Sequence, residues 1–154
     1  MKRIILYVVI FIMSVNCVGQ NKTLMLQQVD FKDKMLEKIL VNIVKTEKEC
    51  FKRSDFYVLD FFQSSLSSKE YYLSINEFIF NPNTQNLITY FVVINNVVFF
   101  VPNKIPNGLF NVLSEKKNFN IKTEKNPSPG GDYNFLINGT LNGYYKVISK
   151  TCTE

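Results

Sequence analysis

The 154-residue chain has no histidine, no tryptophan and no alanine, and its only arginines are Arg3 and Arg53. Without histidine there is no Ser-His-Asp or Cys-His nucleophile, no imidazole proton shuttle near neutral pH and no His-containing zinc site. Scarce arginine removes the planar forks that best read bases and phosphates. The net charge of +5 does not replace them, because Lys2 and Arg3 supply two of the charges and the other lysines are scattered singly or in pairs. Nucleic acid is therefore not an expected partner. Neither glycine nor proline occurs from Gln20 to Asn81, so Arg53-Ser54-Asp55 is the one candidate break before the turn at Asn81-Pro82-Asn83-Thr84. Missing alanine, together with abundant Asn, Lys, Ile, Phe and Tyr, fits an AT-rich coding bias and gives the preference for lysine no functional weight.

Apolar residues make up 46% of the chain, with 14 phenylalanines, enough for a sizeable core in one domain. The strongest pattern is Leu87 to Val101, LITYFVVINNVVFFV. Two β-branched and aromatic runs flank Asn95-Asn96, and Asn tolerates the positive φ of a two-residue hairpin turn. The register that follows sets Ile94 opposite Val97, Val92 opposite Phe99 and Tyr90 opposite Val101, with Val93–Val98 and Phe91–Phe100 on the other face. Both faces are apolar, which predicts a mid-sheet hairpin covered on both sides. One cover is a helix. The other is either the rest of this chain or a partner, a twin subunit or an apolar ligand.

Residues 1–19 have the layout of a secretory signal peptide: Met1-Lys2-Arg3, the apolar run Ile4 to Met13, then small residues Cys17 and Gly19 before a cleavage point. The apolar run is ten residues, short of the ~20 that cross a bilayer. Membrane contact is then expected only in transit, or through a lipid anchor at Cys17, whose preceding Ser14-Val15-Asn16 fits a lipobox poorly. The mature domain is residues 20–154, secreted or periplasmic. In that compartment Cys50 and Cys152 are expected to form a disulfide, closing a loop of about 100 residues worth up to about 4–5 kcal/mol in the chain-entropy model. Two buried thiols are the alternative.

Along the domain, Thr23 to Val29 reads as a short strand or a helix lead-in. Asp30 reads as an N-cap, and the spacing of Met35, Leu36, Ile39, Leu40, Ile43, Val44, Cys50 and Phe51 predicts an amphipathic helix from Asp30 to about Lys52. Strands are expected over Phe56–Gln63 and Lys69–Phe80, the latter with Tyr71, Leu73 and Ile75 on one face and Tyr72, Ser74 and Asn76 on the other. With the hairpin they form an antiparallel meander of four strands. A short helix at Leu109–Leu113, an edge strand at Phe119–Glu124, and closing strands at Tyr133–Ile137 and Tyr144–Thr151 complete the reading. Asn126 to Asp132, NPSPGGD, lacks the Gly-Lys-Ser/Thr of a phosphate loop and is turn chemistry. The expected fold is α+β: a long N-terminal helix packed on a twisted antiparallel sheet of four to six strands, in the style of a cystatin-like or NTF2-like roll.

Few constellations carry chemistry. Asp60 and Glu77 sit among aromatics that could raise a carboxyl pKa, but lone strand carboxylates more commonly reach solvent at a sheet rim, and no second catalytic element accompanies them. Tyr71, Tyr72, Tyr144 and Tyr145 offer flat rings with polar tips for a binding surface. No catalytic residue is assigned, and no cofactor or metal is expected. The function expected is that of an exported, non-enzymatic protein binding a protein or peptide: an inhibitor, an immunity-type neutraliser, a subunit of an envelope complex, or a homodimer. The alternatives are a small hydrolase or isomerase using a carboxylate in a sheet-lined pocket, and a carrier of an apolar ligand.

Overall fold

The computed structural model describes residues 21–52, 54–62, 70–80, 87–106, 108–122, 134–140 and 145–151. The chain is mostly β: strands β1 (Asn21–Phe31), β2 (Phe56–Phe62), β3 (Glu70–Glu77), β4 (Ile88–Ile94), β5 (Val97–Pro102), β6 (Phe110–Lys122), β7 (Asn134–Thr140) and β8 (Tyr145–Thr151), one helix α1 (Lys34–Thr46), and a 3-10 turn over Lys48–Phe51. The strands form one eight-stranded sheet in the order β6-β1-β4-β5-β2-β3-β7-β8. β1 runs parallel to β4 and β2 parallel to β5; the other neighbours are antiparallel. The mixed, mostly-β sheet overturns the expected α+β roll of cystatin-like or NTF2-like type, with its long helix on four to six antiparallel strands. Among the described residues no helix is long and apolar enough to cross a membrane.

The helix is shorter than its periodicity suggests because two acids compete to start it. Val29 and Phe31 are buried at alternate positions, so the strand period persists through Asp30. Asp33 then supplies the cap, one side-chain oxygen accepting from the backbone N–H of Met35 and of Leu36 at 2.9 and 3.0 Å. Leu36, Leu40, Ile43 and Val44 form the buried stripe, while Met35 faces solvent. At the far end the hydroxyl of Thr46 donates back to the carbonyl of Asn42, and the N–H of Glu47 to that of Ile43. Cys50 and Phe51 continue into the core from the 3-10 turn. Cys152, and with it the expected bridge to Cys50, lies outside the described residues, as do the head, Tyr144 and the NPSPGGD loop.

The central hairpin has the expected register, Ile94 opposite Val97 through Tyr90 opposite Val101, with Asn95 and Asn96 at φ 49 and 67. It occupies the third and fourth places of eight. On one face Val92, Ile94, Phe99 and Val101 join Tyr57, Leu59, Leu73, Ile75, Phe135 and the helix stripe in the main core. On the other, Phe91 and Phe100 meet Leu24, Leu26, Phe119 and Ile121. These last four come from the β1–β6 ribbon. β1 pairs with β4 only at Gln27–Tyr90 and Gln28–Phe91, while it pairs with β6 along almost its whole length. Freed from β4, the first half of the ribbon brings its apolar side against the hairpin. Phe119 stands 5.2 Å from Phe100 and 4.9 Å from Phe91, centroid to centroid, and Phe56 and Phe78 also pack on Phe100. Over Phe91 and Phe100 the cover of the second face is thus this chain's own β1–β6 ribbon, while Val93, nearer the turn on that face, stays 45% exposed.

That ribbon also replaces the expected short helix at Leu109–Leu113. Residues 110–122 pair with β1 in ten positions, and the alternation of Phe119 and Ile121 is a strand's. The expected meander fails as well, because β5 returns beside β2 and β3 turns to β7.

Candidate functional site

The side of β2–β3 away from the helix divides in two. Toward β5 it is apolar and covered, through Phe56, Val98 and Phe100. Toward β7 it turns polar. The register Phe62–Tyr72, Asp60–Ser74 and Val58–Asn76 places these six residues on one side of the ladder, and β7 continues the rows with Asn138 beside Tyr72 and Leu136 beside Ser74. Phe62 and Tyr72 stack at 5.5 Å with planes 19° apart, and Phe62 is 47% exposed. The amide of Asn76 donates to the hydroxyl of Ser74 at 3.0 Å. Asp60 is exposed, yet loss of water around its carboxyl pushes its pKa above the ordinary aspartate value. An acceptor, a hydroxyl, two amides and two rings therefore share one open surface. Glu77 pairs with Tyr57 and lies on the opposite side of the ladder from Asp60, so the two carboxylates are not brought together.

The four tyrosines do not form one surface. Tyr72 stands on the open side just described. Tyr71, one residue earlier, is fully buried on the helix side. Its hydroxyl donates to that of half-buried Tyr145 at 2.7 Å, and Tyr145 donates in turn to the second side-chain oxygen of Asp33 at 2.5 Å. Burial pushes the Tyr71 phenol up to about 12, and burial with the hydrogen bond to Asp33 pushes Tyr145 up as well. The rings meet edge to face at 6.2 Å over Gly139, where an added Cβ would come within 2.7 Å of Tyr145 and 2.8 Å of Tyr71. Such high-lying phenols neither give nor take protons near neutral pH, so this cluster is a hydrogen-bonded joint between β3, β8 and the helix start.

Sequence reasoning found Tyr72 and Asp60 but not Phe62, Ser74 or Asn138 as their neighbours, since β7 beside β3 is a long-range pairing. It also missed Asp33 and Gly139 as partners of Tyr145. A glycine inside a strand facing a tyrosine was the available signal for a close approach. Among the described residues no group of three acidic or cysteine side chains is placed to hold a metal. Phe91 and Phe100 are packed by Phe119, Phe56 and Phe78. No family model, curated protein or solved structure matches the chain.

Proposed function

We propose that the protein is a non-enzymatic binding protein that takes a protein or peptide partner on the open side of β2, β3 and β7. The observation that carries this reading is the stacked pair of exposed Phe62 and half-buried Tyr72, set beside Asp60, Ser74 and Asn76, while on the same side Phe91 and Phe100 are packed under the β1–β6 ribbon. Aromatic side chains at the surface bury much area at little entropic cost, and the adjoining polar groups fix orientation. That the protein works after export belongs to the same proposal and rests on the composition of residues 1–19.

A displayed library of random peptides, selected on residues 20–154, tests it. Selected peptides are expected to bind at least tenfold more weakly to a Phe62→Ser, Tyr72→Ser variant that keeps the unaltered far-ultraviolet spectrum. Selection of no peptide, or equal binding to the variant, would end the proposal.

A further inference from the structure

The two outermost strands of the sheet, β6 and β8, are not paired with each other among the described residues, yet both are fastened to the residue that caps the helix. The backbone N–H groups of Lys32 and Asp33 donate to the carbonyl of Leu109, immediately before β6, at 2.9 and 3.2 Å. The Asp33 carboxylate spends one oxygen on Met35 and Leu36 and the other on the hydroxyl of Tyr145, the first residue of β8. The helix touches the neighbouring strands β1 and β4 and also β8, which ends the sheet on the far side, so the sheet curls around it. Phe61 of β2 reaches Phe110 of β6 across the same interior at 5.8 Å. The tyrosine joint therefore sits where the curl closes.

We infer that Tyr145 is a latch, which shuts the curled sheet by locking its last strand onto Asp33 and which, when released, lets β8 fray from its ladder with β7 while the helix stays in place. Its design separates two tasks on one carboxylate. Loss of the Tyr145 bond leaves the oxygen that caps the helix in place, so the strand opens without unwinding α1. Tyr71 is the sensor of closure, because its hydroxyl reaches solvent only when the Tyr145 ring lifts off Gly139. Among the described residues the charged group that meets the tyrosines is Asp33; Lys34, next to it in the chain, is engaged with Glu37 at 2.9 Å and with Asp30 at 3.9 Å. This inference stands apart from the peptide-binding proposal, since the latch lies on the helix side of the sheet.

Hydrogen exchange read by mass spectrometry tests it on the unaltered protein and on Tyr145→Phe, Asp33→Ser and the double variant. Ser retains an N-cap acceptor but has no second oxygen for Tyr145. Each single variant is expected to speed exchange of β8 at least tenfold and to leave β4 and β5 unchanged, and the double variant to exchange β8 no faster than the faster single one, because both remove the same bond. Exchange of β8 within twofold of the unaltered protein in Tyr145→Phe, or multiplicative effects in the double variant, would overturn the latch. In the unaltered protein, β8 and the amides of Lys32 and Asp33 are expected to show separate openings, β8 first; a single shared opening with the core would also overturn it.

Discussion

The two oxygens of Asp33 hold different things, and the tyrosines that meet one of them show how a single site can mislead a sequence reader. Tyr71-Tyr72 alternates, as any strand dipeptide does, so one ring must go in and one out; that much was legible. Which partners each would find was not, because Tyr145 and Asp33 are 112 residues apart and are joined by tertiary packing alone. The raised phenol pKa values give a signed expectation. An unfolded tyrosine ionises near 10, whereas Tyr71 in the fold is held to about 12 and Tyr145 is raised too. The neutral phenols therefore stabilise the fold fully below pH 10, and that contribution is lost as pH climbs toward 12. Unfolding free energies from urea titrations between pH 9 and 12 are expected to fall more steeply for the unaltered protein than for Tyr71→Phe, Tyr145→Phe, by at most about 1.4 kcal/mol per pH unit for each phenol. Parallel lines would mean that the pair is not held neutral by the fold.

At the level of elements, the β4–β5 hairpin was readable because every cue agreed: a two-residue Asn-Asn turn, period-two alternation on either side, and Pro102 at the end. With both turn residues at positive φ the backbone is of type I′, the geometry that matches strand twist. Asn96, at φ 67, has the conformation that glycine adopts without steric cost. Asn96→Gly is expected to raise stability by about 0.5–1 kcal/mol in chemical denaturation, whereas Asn96→Val should lower it by about 1–2 kcal/mol, the cost of a β-branched residue in the left-handed region. Elements whose cues conflicted were misread. Asp30 and Asp33 both suit a cap, and only the buried alternation of Val29 and Phe31 decides between them. Ser114-Glu115-Lys116-Lys117 hides the strand character of β6, since an edge strand is free to carry charge on its outward positions, and lysine there discourages pairing with other chains. The two parallel pairings, β1 with β4 and β2 with β5, were invisible because apolar strands read alike in either direction.

For the whole molecule, the fold is a curled mixed sheet built outward from a hairpin covered twice: by one helix on the inside and by the β1–β6 ribbon on the outside. The outer cover is aromatic, with Phe119 against both Phe91 and Phe100, and lysines finish its margins: Lys117 Nζ lies 5.6 Å from the Phe119 ring and Lys22 Nζ 5.3 Å from that of Phe80. This arrangement leaves the β2–β3–β7 sector of the outer side open beyond the ribbon, and the proposed binding surface lies there; on the hairpin itself Val93 stays 45% exposed. The most direct test of the double cover is native-state hydrogen exchange resolved to single amides. The slowest amides are expected in β4 and β5, exchanging only through global unfolding and more slowly than those of the marginal strands β6 and β8. Exchange of β4 or β5 as fast as the margins would contradict a central, doubly covered hairpin.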